Sequence, residues 1–248
     1  MPQNYYAVGC MFYRSAGAGA VLFILMLIAS LQGLRAQSLE ITGKEIECSA
    51  GLEYNRSFSW GGNFFTSGAA GINNRYAFKG GLGLGGIGKS FEIKVFSSGK
   101  AALLPEFPLF FCLNYLYHGL PGQAFDVHTH SVLPYISLEG RWAGFAAGNN
   151  FRFTRFLGET TVFEPVLSFW GYVNFINKEK IRIGLGFGNF GDFYTGNLGS
   201  LYLKAGGIAR VDNKWSVTGE VELLQSGIDG LTASFYGIAF RGGVKYAW

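Results

Sequence analysis

The chain has 248 residues, among them 38 glycines and 6 prolines, with 17% aromatic and 15% charged residues and a formal charge of +4. So few charges, against roughly 25% in ordinary soluble domains, together with scarce proline and abundant aromatics, exclude a disordered or collagen-like chain. Arg14 and Arg35 lie in the first 36 residues, which hold no acid, so the rest carries eighteen bases against sixteen acids; that balance builds no basic face, and no nucleic-acid partner is expected.

Taken from the start, Ala20 to Leu31 (AVLFILMLIASL) form a short apolar core after Arg14, followed by the small-residue exit Gly33-Leu34-Arg35-Ala36-Gln37. This is the anatomy of a secretory signal peptide. An uncleaved anchor is the rival, since 15–34 carry no charge, but the strongly apolar part is nearer a dozen residues than the roughly 20 a spanning helix needs. Residues 1–36 are therefore read as a cleaved leader and 37–248 as one domain.

After Gln37 no segment sustains a helical period, whereas alternation of period two recurs. At the front, Ile46, Cys48, Ala50, Leu52 and Tyr54 alternate with Glu45, Glu47, Ser49, Gly51 and Glu53. Residues 75–84, 91–96, 107–117, 132–142 and 161–175 follow as further strands. Ile181, Ile183, Leu185 and Phe187 oppose Arg182, Gly184 and Gly186. Leu201, Leu203 and Ala205 oppose Tyr202 and Lys204, with Arg210 further along. Trp215, Val217, Val221 and Leu223 oppose Ser216, Thr218, Glu220 and Glu222. Last, Tyr236, Ile238, Phe240, Val244, Tyr246 and Trp248 alternate with a small or charged set that includes Arg241 and Lys245. That makes about ten strands, with eight as the alternative. Several reach the nine to eleven residues that a tilted membrane strand requires.

With both termini in the periplasm, the inner turns would be 85–90, 118–131, 176–180 and 212–214. The outer loops would be 55–74, 97–106, 143–160, 190–199 and 225–233. Short inner turns and longer outer loops are the habit of bacterial barrels; 118–131 is the exception. The fold class expected is an all-β antiparallel transmembrane barrel. A soluble barrel with the aromatic set inward shares the alternation, but strand length, a glycine-rich inner set and aromatics near strand ends favour the membrane.

In this architecture the chain resembles small Gram-negative outer-membrane β-barrels of the OmpA or OmpW type, over about 39–248. Its alternating carboxyl-terminal strand closes on Tyr246-Ala247-Trp248 and is similar to the signal read by the barrel-assembly machinery, which the resemblance implies as a partner beside the outer-membrane lipid bilayer.

The candidate lumen set is Glu45, Glu47, Glu53, Lys79, Glu92, Lys94, Glu139, Arg141, Arg182, Lys204, Arg210, Glu220, Glu222, Arg241 and Lys245. Enclosed charges are costly when alone, so these are expected to pair into an internal ion network. Cys48 and Cys112 fall on opposite faces, which argues against a bridge, and no metal spacing such as Cys-x-x-Cys occurs. His128 and His130, in Asp126-Val127-His128-Thr129-His130-Ser131, are the one cluster with metal or catalytic flavour; without a nucleophile elbow, and assigned to a periplasmic loop, they read as solvated side chains. The run 80–88 (GGLGLGGIG) lacks the Lys-Ser/Thr pair of a phosphate loop and reads as strand and turn. No cofactor, metal or enzymatic activity is expected. Two functions stand: a narrow porin-like conduit for small solutes, and a closed barrel whose surface loops, 55–74 foremost, bind a partner. A lipid-modifying enzyme trails both.

Overall fold

The computed structural model describes residues 43–55, 59–72, 75–87, 90–104, 107–121, 126–156, 161–195, 200–226 and 234–248. The expected leader, 1–36, lies outside them. In chain order the strands are β1 (Lys44–Asn55), β2 (Ser59–Ile72), β3 (Tyr76–Ile87), β4 (Ser90–Ala102), β5 (Leu109–Leu120), β6 (Val127–Glu139), β7 (Ala143–Phe156), β8 (Val162–Asn177), β9 (Ile181–Gly188), β10 (Phe190–Gly191), β11 (Tyr194–Thr195), β12 (Ser200–Arg210), β13 (Trp215–Ser226) and β14 (Ser234–Ala247). Twelve of them close an antiparallel barrel, with β9 pairing to β12 and β14 returning to β1. The short β10 and β11 pair only with each other. The seam runs from Glu45↔Ala247 to Asn55↔Gly237.

The barrel therefore has two more strands than the alternation predicted. The missing two are β2, inside the expected loop 55–74, and β7, inside the expected loop 143–160. In β2 (SWGGNFFTSGAAGI) the adjacent Phe64 and Phe65 point to opposite faces, 48% and 4% exposed, and small residues occupy both faces, so no contrast of polarity marks the period. In β7 (AGFAAGNNFRFTRF) Gly144, Gly148, Asn149 and Asn150 imitate a turn. Missing one strand before and one after the middle of the chain kept the count even. It also reversed every intervening connection: β3 ends and β4 begins at the barrel end opposite the termini, as do the end of β5 and the start of β6, while β2 passes to β3, β4 to β5 and β6 to β7 at the terminal end. The long inner turn 118–131 thus belongs to the other end, and much of it is strand.

Alternation decides which side chains meet lipid. Ile46, Leu52, Phe64, Phe78, Leu84, Phe111, Ile136, Leu167, Val173, Leu185, Val217, Phe240 and Val244 are all exposed. In a sheet that closes on itself such a face can only be the exterior, and backbone groups paired all round leave no edge, as a bilayer demands. The inward parity carries the charges, but not only charges. Along β4 to β7 it includes Phe96, Phe110, Cys112, Leu116, Leu133 and Ala146, all nearly or fully buried. Leu133 and Pro134 interrupt the β6–β7 pairing while the register continues on either side, as a proline without an N–H would cause.

Candidate functional site: the lumen and its hairpin

Gly188 ends β9 beside the β8 backbone. A Cβ there would lie 2.5 Å from the Phe169 carbonyl oxygen and 2.8 Å from Trp170 Cα, so only glycine lets the chain leave the wall so close to its neighbour. Asn189, fully buried, then extends the β8 ladder with its side chain. Its Oδ1 accepts from the Phe169 N–H at 2.8 Å, and its Nδ2 donates to the Leu167 carbonyl at 2.8 Å. Phe190 packs on Leu133 and Ala146, with Tyr135 and Trp170 around it, and the Tyr202 hydroxyl donates to the Phe190 carbonyl at 3.0 Å. The β10–β11 hairpin consequently folds into the barrel and crosses it.

On the far wall Phe193 sits between Phe65 and Phe96, its ring centroid 4.6 Å from each. Asp192 there pairs with Lys79 of β3. The glycines of β3 make this seat, since a Cβ on Gly83 would fall 2.7 Å from the Phe65 ring. Between hairpin and wall, a cavity of about 500 Å³ is bounded by Glu139 at the end of β6 and by residues of β1, β2, β3, β8, β9 and β12 to β14, among them Glu47, Lys79, Tyr172, Arg182, Lys204 and Glu220. The lumen is thus uneven: the β4 to β7 side is filled with side chains, and the opposite side is open and polar.

Of the charged residues assigned to the lumen, Glu45, Glu47, Glu53, Lys79, Glu92, Lys94, Glu139, Arg182, Lys204, Glu220, Glu222, Arg241 and Lys245 occupy inward positions, where charged and polar contacts link them to one another and to the wall. Lys245 meets Glu45 at 2.6 Å, and Glu47 accepts from the Thr218 hydroxyl at 3.1 Å. Lys204 meets Glu220 at 2.9 Å; Arg241 bridges Glu220 at 2.7 Å and Glu222 at 3.2 Å. Glu53 accepts from Asn63 Nδ2 at 3.0 Å. Glu92 meets Lys94 at 3.1 Å and His118 at 2.7 Å. Lys100, which fell in an expected loop, pairs with Glu139 at 2.6 Å.

Two assignments fail. Arg141 stands exposed in the β6–β7 turn, where its guanidinium donates to the Asn177 carbonyl at 3.1 Å and lies over the Trp142 ring. Arg210 is exposed at the last position of β12. Both sit where the strand has run out of wall. Tyr246 and Trp248 stack at 5.7 Å, with Trp215 4.8 Å from Tyr246, at the terminal rim.

Sequence reasoning missed the hairpin and its aromatic seat. Asp192 and Phe193 lay in what read as a surface loop, and their partners are more than ninety residues away in sequence. Cys112 is inward, 3.4 Å from the Ser137 hydroxyl, and Cys48 outward, 3.6 Å from Thr66, so the two do face opposite ways. His128 and His130 are not in a periplasmic loop. They stand on β6, facing outward, at the end opposite the termini, whereas Ser131 faces inward and is buried. The Asp-His-Ser grouping suggested by their sequence is therefore split across the sheet.

No family model and no curated protein sequence matches the chain. Among solved structures, "KdgM porin in complex with disordered oligogalacturonate" aligns with a TM-score of 0.51 at 11% identity, over 82% of this chain and 99% of that one. The NanC porin aligns with 0.53 at 11%, over 81% and 98%. The translocator domain of autotransporter NalP from Neisseria meningitidis aligns with 0.52 at 14%, over 96% and 98%. At such identities the likeness carries the fold alone. That fold, with an apolar exterior and charges enclosed, defines the class: the protein is an outer-membrane β-barrel. Within the class, its neighbours include porins and a translocator domain.

Proposed function

We propose that the protein is a narrow passive conduit for small polar solutes, set in the outer membrane with both termini in the periplasm and the β10–β11 hairpin as its constriction. One observation carries this reading: a cavity of about 500 Å³ beside the hairpin is left unfilled and is walled by charge. Around the cavity five acids (Glu47, Glu139, Asp192, Glu220 and Glu222) face four bases (Lys79, Arg182, Lys204 and Arg241). Acids on β1, β6 and β13 are interspersed with bases on β3, β9, β12 and β14, so the lining offers hydrogen bonds without a strong net field, and selectivity by charge is expected to be weak. The oligogalacturonate named with the KdgM porin is an acidic ligand, and this near-neutral wall gives no particular reason to expect one here.

Liposome swelling with neutral sugars of increasing size tests the reading. Flux with a sharp size limit is expected, and Gly186→Trp should reduce it, because Gly186 faces the cavity with its nearest obstacle the Gly171 carbonyl oxygen, 3.5 Å from where a Cβ would stand. Liposomes that admit no solute, with or without the hairpin, would refute it. The seating of Phe193 against the far wall favours the second reading, a closed barrel that presents its outer connections to a partner. With β2 a strand, the longest of these connections are 189–199 and 227–233. Export by the leader 1–36, and recognition of Tyr246 and Trp248 by the barrel-assembly machinery, belong to the same proposal. Neither function requires a cofactor or bond-making chemistry.

A further inference from the structure

On the outward parity of the twelve barrel strands, the described residues include no Asp or Glu and two cations: Lys44, the first residue of β1, and Arg155 on β7. The histidines His128 and His130 share that face, beside Arg155 and at the end opposite the termini. His128 is paired directly with Arg155 across β6 and β7, and His130 is its diagonal neighbour, within reach of a long side chain. Lys44 apart, the basic side chains described on that face are thus gathered at one place and one depth.

The local bonding prepares two donors. The Tyr117 hydroxyl lies 2.7 Å from His128 Nδ1, and Asp126 lies 2.9 Å from His128 Nε2. With the carboxylate accepting from Nε2–H, the tyrosine O–H donates to Nδ1. Tyr115 lies 2.9 Å from His130 Nδ1, and with its O–H donating there the ring N–H sits on Nε2 of this exposed residue, where it can donate to a ligand. Asp126, the acid of the cluster, is committed to His128. Arg155, exposed, supplies a permanent charge and a planar fork of N–H donors, the group best matched to phosphate oxygens. Tyr115 and Tyr117 also fix the depth, because tyrosine settles at the headgroup level of a bilayer, and Phe151, Phe153 and Phe163, mutually packed and exposed, provide apolar contact for acyl chains beside it.

We propose that Arg155 and His130, positioned by Tyr115, Tyr117 and His128, form an outward-facing site for the phosphate headgroup of a lipid in the leaflet opposite the termini. The inference rests on the membrane placement proposed above and not on the conduit. Lipid binding and solute flux are measured separately, so either can fail without the other. The test uses the whole barrel, delipidated in a non-ionic detergent, with native mass spectrometry counting bound lipid. The probes are phosphatidic acid and, as its phosphate-free counterpart, diacylglycerol with the same chains. Phosphatidic acid should bind at least tenfold more tightly than diacylglycerol. The double variant Arg155→Gln/His130→Gln should lose at least tenfold, Arg155→Lys should stay within about threefold of wild type, and Lys44→Gln should bind as wild type. Strand circular dichroism confirms that each variant is folded. Equal binding of the two lipids, or a folded double variant that retains wild-type affinity, would overturn the site. Complete displacement by millimolar inorganic phosphate would overturn its assignment to a lipid.

Discussion

Replacing Phe193 by alanine removes the two ring contacts that hold the hairpin against the far wall. Each aromatic pair at such a separation is worth about 0.5–1.5 kcal/mol beyond area burial, so the seat loses about 1–3 kcal/mol. That energy multiplies the ratio of displaced to seated hairpin by roughly 5 to 150. The Tyr202 bond to the Phe190 carbonyl remains, so the hairpin stays attached at its β9 end and swings instead of unfolding, parting the Lys79–Asp192 pair as it leaves the far wall. In a planar bilayer the expected result is a state of higher conductance, rare or absent in the wild type and occupied for a measurable fraction of the record in Phe193→Ala. Phe163→Ala, which trims an exposed ring on the outer wall, serves as control and should leave the record unchanged. An identical conductance histogram for Phe193→Ala and wild type would show that the hairpin does not set the width of the passage.

Arg241→Met leaves Glu220 and Glu222 without their shared cation inside the barrel; loss of one partner from an enclosed pair costs about 3–5 kcal/mol, to be read as a lowered urea midpoint in lipid vesicles. Gly83→Leu drives a side chain into the Phe65 ring and should raise the population of the displaced hairpin as Phe193→Ala does, visible in the same recordings. Asp212, in the β12–β13 turn, accepts from the backbone N–H groups of Trp215 and Lys214, each at 2.7 Å, and these bonds hold its carboxyl below the ordinary aspartate range. A depressed folded value means the stabilisation is full above the unfolded value of about 3.9 and fades as the pH falls through the lower folded value. Wild type should therefore exceed Asp212→Ala in unfolding midpoint at neutral pH, and the difference should close in strong acid; a gap independent of pH would refute the turn bonding.

Where strand chemistry differs between faces, the sequence was legible. β14 and β9 carry their apolar and polar sets on strictly alternate residues, and both appear in the structure where the period placed them. β2 and β7 escaped because their inward residues, Gly61, Phe65, Ala69, Gly144 and Ala146, are as apolar or as small as their outward ones. The ion pairs followed from composition, since charges enclosed in a barrel have nowhere to go but to each other. Their partners did not follow, because contacts across the seam, such as the diagonal pair of Glu45 with Lys245, emerge only on closure. The hairpin could not be read at all. Phe193 looks like any exposed-loop aromatic until Phe65 and Phe96, brought together through β2, β3 and β4, make room for it. The reversal of His128 and His130 from one barrel end to the other shows how a single missed strand changes the apparent chemistry of a residue that was itself correctly noticed.

The β1–β14 seam has a consequence for biogenesis. Until the last strand arrives, β1 and β13 each present a row of unsatisfied amides and carbonyls to the surroundings, flanked by aromatic rows with no lipid to cover them. Such a polypeptide is as ready to join a sister molecule as its own far edge. Secretion intermediates cut short before residue 234 should accumulate as aggregates, and whatever escorts the chain must shield both open margins until closure.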